Sequence, residues 1–105
     1  MEYGIYQCKD EDATTVYIGS SKLTLEQLEK NHRNYYQYSK GYESQFRKNL
    51  REKGKNWTFE WVLKPMKCTV KGIETVEGAF IRFSKPKYNK DQYPVNSSIK
   101  YGRYN

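Results

Sequence analysis

The sequence predicts an α+β fold: a small three-stranded antiparallel sheet flanked by about three helices, in the order strand, strand, helix, helix, strand, helix. Three observations predict it. Two short runs rich in Tyr, Ile, Val and Thr lie on either side of a polar turn. A capped stretch with apolar residues at helical spacing follows them. Farther on, a run alternates aromatic and other residues with the period of a strand. At 105 residues the chain is sized for one domain with a modest core.

The first strand is expected over residues 2–9 and the second over 15–19, where Thr15, Val16 and Ile18 are β-branched. Asp10-Glu11-Asp12-Ala13-Thr14 between them suits an antiparallel hairpin with a longer loop. Thr24-Leu25-Glu26-Gln27 has a hydroxyl at the N-cap and an amide three residues on, the pattern of a capping box. Leu25, Leu28, His32 and Tyr35 or Tyr36 then recur on one helical face, so the first helix should reach about Tyr38, with Gly41 breaking it. A second helix is expected over 43–53, with Phe46 and Leu50 inward and Gly54 as its stop. The alternation Trp57, Phe59, Trp61, Leu63 predicts one strongly apolar strand face, ended by Pro65. A third helix should cover about 70–83, with Val70, Ile73, Glu77, Phe80 and Ile81 on one side. Residues 1–89 then form the domain, and 90–105 a polar, basic C-terminal tail.

Nineteen basic residues against twelve acidic ones leave a formal charge of +7. That balance suits a polyanionic partner, nucleic acid first and an acidic membrane surface second. It equally describes a merely basic domain. Eleven tyrosines add stacking faces and hydroxyls suited to bases and backbone, although tyrosine is also a good strand residue. Two cysteines are too few for a disulfide scaffold, and no Cys/His spacing suggests structural zinc. Reduced thiols and the absence of an apolar leader fit a cytoplasmic protein, and no apolar run is long enough to span a bilayer.

Gly4-Ile5-Tyr6, ten residues, and Tyr17-Ile18-Gly19 resemble the signature of the GIY-YIG nuclease superfamily. With Gln7 and Ser20 included, the hairpin looks most like the catalytic domain of phage homing endonucleases. The likeness extends over about residues 3–89. Glu77 stands before Phe80-Ile81 as in that family, and Pro86-Lys87-Tyr88-Asn89 is similar to the family's Pro-x-Tyr-Asn segment. The resemblance implies a divalent-metal-dependent endonuclease acting on double-stranded DNA, with Mg²⁺ or Mn²⁺ as cofactor. In a phage-encoded protein the site of action would be the host cytoplasm. Family homing enzymes carry a separate DNA-binding module after this domain. Specificity here would come from the domain itself, its tail, a homodimer or a protein partner.

The candidate catalytic residues are Tyr6, Tyr17, Lys22, His32, Glu77 and Asn89. Glu77, on an apolar helix side, needs a partner to offset its desolvation, and a hard cation with a water shell would supply one. Tyr17 is the candidate general base and Tyr6 the group that orients it or holds the attacking water. A free phenol titrates near ~10, so Tyr17 needs help from nearby positive charge. Ordinary hairpin packing accounts for the same two tyrosines. His32 reads as a helper in proton transfer or as a satisfied core histidine. Lys22 reads as a phosphate contact or a solvated lysine, and Asn89 as a residue fixing a site loop or a turn asparagine. Lys30, Arg33, Arg47, Lys48 and Arg51 form a candidate nucleic-acid-binding set, or a solvated charged face.

The resemblance also implies an arginine four residues before His32, stabilising charge on the phosphate in the transition state. That position is Leu28, with Gln27 its neighbour in a slipped register. Arg33, Arg47 or Lys30 would have to substitute. Without a substitute, the chain is a weak or inactive member of the fold: a DNA-binding module, or an interaction protein such as an inhibitor.

Overall fold

The computed structural model describes residues 2–34 and 45–89. Strands β1 (Glu2–Lys9), β2 (Thr15–Ser21) and β3 (Thr58–Lys67) form one antiparallel sheet in the order β2-β1-β3. Helices α1 (Leu25–Arg33) and α2 (Gln45–Lys53) lie between β2 and β3 in sequence, and α3 (Val70–Ser84) follows β3. The element order and the α+β class are those the sequence predicts.

Alternation along β1 separates two cores. Tyr6 and Cys8 face one side, where Tyr17, Leu28, Phe46, Leu50, Trp57 and Tyr88 complete a buried cluster. Ile5 faces the other, with Ile18, Ile73 and Ile81. Helices α1 and α2 therefore cover one face of the sheet and α3 the other.

Local chemistry explains the elements. In the hairpin loop Asp10 Oδ1 accepts from the N–H groups of Asp12 and Thr14, which lets Ala13 take a left-handed backbone. Thr24 caps α1, and the capping box with Gln27 is complete in both directions. Helix α1 reaches its C-cap at Asn34; the expected continuation to Tyr38 and the break at Gly41 lie outside the described residues. So do the first two residues of the expected second helix and the C-terminal tail over 90–105. Helix α3 is capped by Thr69, whose side chain accepts from Gly72 N–H, and ends on Lys85 in the left-handed region. Val70, expected on the inner side of this helix, is instead 47% exposed at its first turn.

Strand β3 departs from expectation in two ways. Pro65 does not end it: the strand runs on to Lys67. As an edge strand β3 has one side that needs no N–H for the ladder, so a proline is tolerated there. Gly4 lies against this irregular stretch. A Cβ on Gly4 would stand 2.7 Å from the Leu63 carbonyl oxygen and 2.8 Å from Pro65 N, so only glycine fits. The expected single apolar face is also broken. Tyr6 pairs with Trp61 but Ile5 with Leu63, which inserts Val62 as a bulge. Phe59 and Trp61 therefore pack on the aromatic side and Leu63 on the isoleucine side.

The free edge of β2 is covered by the segment after α3. Tyr88 N–H donates to Val16 O at 3.0 Å. Asn89 is fully buried; its Oδ1 accepts from Ile18 N–H and its Nδ2 donates to Ile18 O, both at 2.7 Å. One side chain thus replaces a neighbouring strand and blunts the edge. Among the described residues no helix is long and apolar enough to cross a membrane, and both cysteines are free thiols.

Candidate active site

Gly19 makes room for the site. It lies opposite Tyr6 in the ladder, and a Cβ on it would stand 2.5 Å from the Tyr6 hydroxyl. The Tyr6 phenol occupies that gap. Tyr17 lies opposite Cys8, which faces the same side of the sheet as Tyr6, and its ring centre is 6.1 Å from that of Tyr6. Tyr17 stacks on Phe46 from α2, with ring centres 4.0 Å apart and planes 3° from parallel. His32 comes in from α1 and stacks on Phe59, ring centres 5.8 Å apart.

Polar atoms run through this aromatic cluster as a connected chain. Arg47 Nε donates to His32 Nδ1 at 2.8 Å. His32 Nε2 and the Tyr6 hydroxyl are 2.8 Å apart. Tyr6 is in turn hydrogen-bonded to Tyr17 and lies within the field of Glu77 and Arg47. Glu77, half-buried on α3, accepts from Ser20 Oγ at 2.8 Å through Oε1. Five elements, β1, β2, α1, α2 and α3, thereby bring Tyr6, Tyr17, His32, Arg47 and Glu77 together.

Burial sets their protonation. Desolvation drives the Tyr6 phenol well above its ordinary range, helped by the negative charge available at Tyr17 and Glu77. Desolvation and the Arg47 guanidinium lower His32 from 6.5 to about 3. His32 is thus a neutral imidazole at physiological pH, and both of its nitrogens are engaged.

The remaining expected site residues fall elsewhere. Asn89 clamps the backbone of β2 and acts on Tyr17 and Gly19 only through that strand. Lys22 is exposed on the turn after β2, outside the buried cluster. Lys30, Lys48 and Arg51 are exposed on α1 and α2. Arg33, expected with them, turns inward. Its Nε donates to Glu29 at 2.8 Å, and its two terminal nitrogens donate to the carbonyls of Gly54 and Trp57 at 3.0 Å. That guanidinium ties α1 to the turn before β3. Leu28 is 5% exposed and packs in the aromatic core. Of the three expected substitutes for a cation there, Arg47 is the one joined to the cluster.

Two features escaped the sequence reading. Ser20 orients Glu77; its signal was its place two residues after Ile18, on the same sheet face. The Arg47–His32 bond had no signal, because the two residues lie on different helices and local periodicity says nothing of how two helices approach each other.

Among the described residues no group of three or more His, Cys, Asp or Glu side chains is arranged around one point. A preformed cage such as zinc or calcium requires is therefore not built from them. A lone carboxylate held by a hydroxyl suits Mg²⁺ or Mn²⁺, which keep several waters and take further ligands from substrate phosphates. Glu77 is the residue that could hold such an ion. No family model, curated protein or solved structure matches this chain.

Proposed function

We propose that this chain is a divalent-metal-dependent endonuclease of GIY-YIG type that hydrolyses phosphodiester bonds in double-stranded DNA, acting in the cytoplasm. The observation that carries the reading is the convergence of two phenols, a neutral imidazole, a guanidinium and a hydroxyl-oriented carboxylate from five elements of the fold. Packing alone has no need for so many polar atoms in one core. Each costs desolvation unless it is bonded, and here each has a hydrogen-bond partner within the site.

In this reading Tyr17 first gives its own proton to solvent; as a phenolate it then accepts the proton of the attacking water, and Tyr6 steadies the phenolate oxygen by a hydrogen bond. His32 holds Tyr6 in place. Arg47 contributes positive charge beside the phosphate, where Leu28 contributes none. Ser20 orients Glu77, and Glu77 would hold the cation, which would supply positive charge to offset the negative charge developing on the phosphate. Exposed Lys30, Lys48 and Arg51 contact the DNA backbone. The test is incubation of supercoiled plasmid with Mg²⁺ or Mn²⁺, using the wild-type chain and Glu77→Ala. Nicking or linearisation by wild type and its loss in the variant is the expected result. Cleavage that survives Glu77→Ala unchanged would sink the mechanism.

The burial of Leu28 in the aromatic core favours a second reading, a binding module of the same fold without turnover. It predicts DNA binding that weakens with salt and no cleavage with either metal. A protein-interaction role predicts weak DNA binding and a stable protein complex instead.

A further inference from the structure

Arg47 Nε donates to His32 Nδ1 at 2.8 Å, and an arginine side chain keeps its protons throughout the physiological range. The imidazole nitrogen that receives this bond must therefore offer a lone pair. A neutral ring with Nδ1 bare carries its proton on Nε2, the nitrogen 2.8 Å from the Tyr6 hydroxyl. That nitrogen must donate, so the Tyr6 oxygen accepts. The Tyr6 proton is then left for another partner, and Tyr6 is hydrogen-bonded to Tyr17.

We propose that Arg47 is a positioning residue: it holds His32 as the Nε2-protonated neutral tautomer and thereby fixes Tyr6 as a hydrogen-bond donor towards Tyr17. Every bond in the chain then points the same way, from guanidinium through imidazole and phenol to the Tyr17 oxygen. A negative charge forming on Tyr17 meets a donor already aimed at it, and no group has to turn over. The reverse polarity would require Nδ1–H facing the Arg47 N–H, two donors at hydrogen-bond distance.

Among the described residues, the surroundings of the imidazole leave few other ways to set this tautomer. Phe46 and Phe59 pack against the ring from α2 and β3, with centres 5.2 and 5.8 Å away, and offer no acceptor. Tyr17 from β2 approaches edge-on at 5.8 Å. Glu77 from α3 acts on Tyr6. Desolvation, which keeps the ring neutral, does not choose between its nitrogens; Arg47 does.

The inference deepens the nuclease reading, but its primary test does not depend on cleavage. Long-range ¹H–¹⁵N correlation spectra of the histidine ring at neutral pH read the tautomer directly, and His32 is the sole histidine. The expected wild-type spectrum shows one neutral form, with Nε2 protonated and Nδ1 bare. In Arg47→Leu the ring should shift to a mixture of tautomers or to the Nδ1-protonated form. A wild-type ring protonated on Nδ1, or an Arg47→Leu spectrum identical to wild type, would overturn the proposal. If Arg47→Leu does not fold, the wild-type spectrum still decides between the two nitrogens. A wild-type chain that shows the expected tautomer but cleaves no plasmid supports this inference and sinks the nuclease reading alone.

Discussion

The two faces of the sheet are packed from different materials. On the α3 side the core is aliphatic: Ile5, Ile18, Ile73 and Ile81 are each at most 7% exposed. On the α1 and α2 side it is aromatic and polar: Tyr6, Tyr17, Phe46 and Phe59 surround the imidazole of His32, which is 6% exposed. Aliphatic side chains fill space without directional demands, and that face can serve stability alone. Each polar atom on the other face needs a partner in one direction, which narrows what can be substituted. Ser20 and Glu77 show where the faces communicate: both lie towards the aliphatic side in sequence, yet the carboxylate acts on Tyr6.

Acid should break the comparison most visibly. His32 titrates at about 3 in the fold against 6.5 as its ordinary value. The unfolded chain takes up a proton as pH falls below 6.5, and the folded chain resists doing so until about 3. Stability from this group is therefore complete above pH 6.5 and drains away between 6.5 and 3, by on the order of 5 kcal/mol in all. His32→Gln has no such titration. Urea unfolding of the two proteins at pH 7, 5 and 4 should show the wild type losing more stability than the variant at each step. Equal losses would mean that the imidazole is not held neutral by the aromatic face.

Next in size is a pair of substitutions, one on each face. Ile73→Ala should cost about 3 kcal/mol through lost burial and a cavity. It should leave the His32 ring spectrum and cleavage by the folded fraction unchanged. Gly19→Ala should cost about 2 kcal/mol, because the added Cβ meets the Tyr6 hydroxyl, and it should remove cleavage as well. Urea midpoints and plasmid assays measure both. If Ile73→Ala damages cleavage per folded molecule as much as Gly19→Ala does, the faces are not separable.

How much of this was legible depends on the range of the interaction. Contacts within one element could be read: the Thr24–Gln27 capping box, the inward Leu28, Phe46 and Leu50, and the hairpin with its acidic turn. Strand β3 could be located, but its bulge at Val62 and its passage through Pro65 depend on pairing with β1 and on lying at a sheet edge. Neither leaves a trace in local periodicity. At the site, Tyr6, Tyr17, His32 and Glu77 could be nominated by residue type and motif, and they lie together in the fold. The partners that set their protonation and direction, Arg47 and Ser20, come from elements whose approach is a tertiary fact. Asn89 reads in sequence as fixing a site loop or as a turn asparagine, and its clamp on Ile18 belongs to the edge of β2.

The most direct measurement isolates one oxygen. Tyr17→Phe keeps the ring stacked on Phe46 and removes only the hydroxyl, so packing is preserved. Single-turnover cleavage of a plasmid with Mg²⁺ should fall by on the order of 100-fold or more in the variant, while DNA binding stays close to wild type and stability drops by only about 1–2 kcal/mol as Tyr6 loses its acceptor. Equal cleavage rates in the two proteins would contradict the assignment of Tyr17 to the chemistry and leave the aromatic face as packing alone.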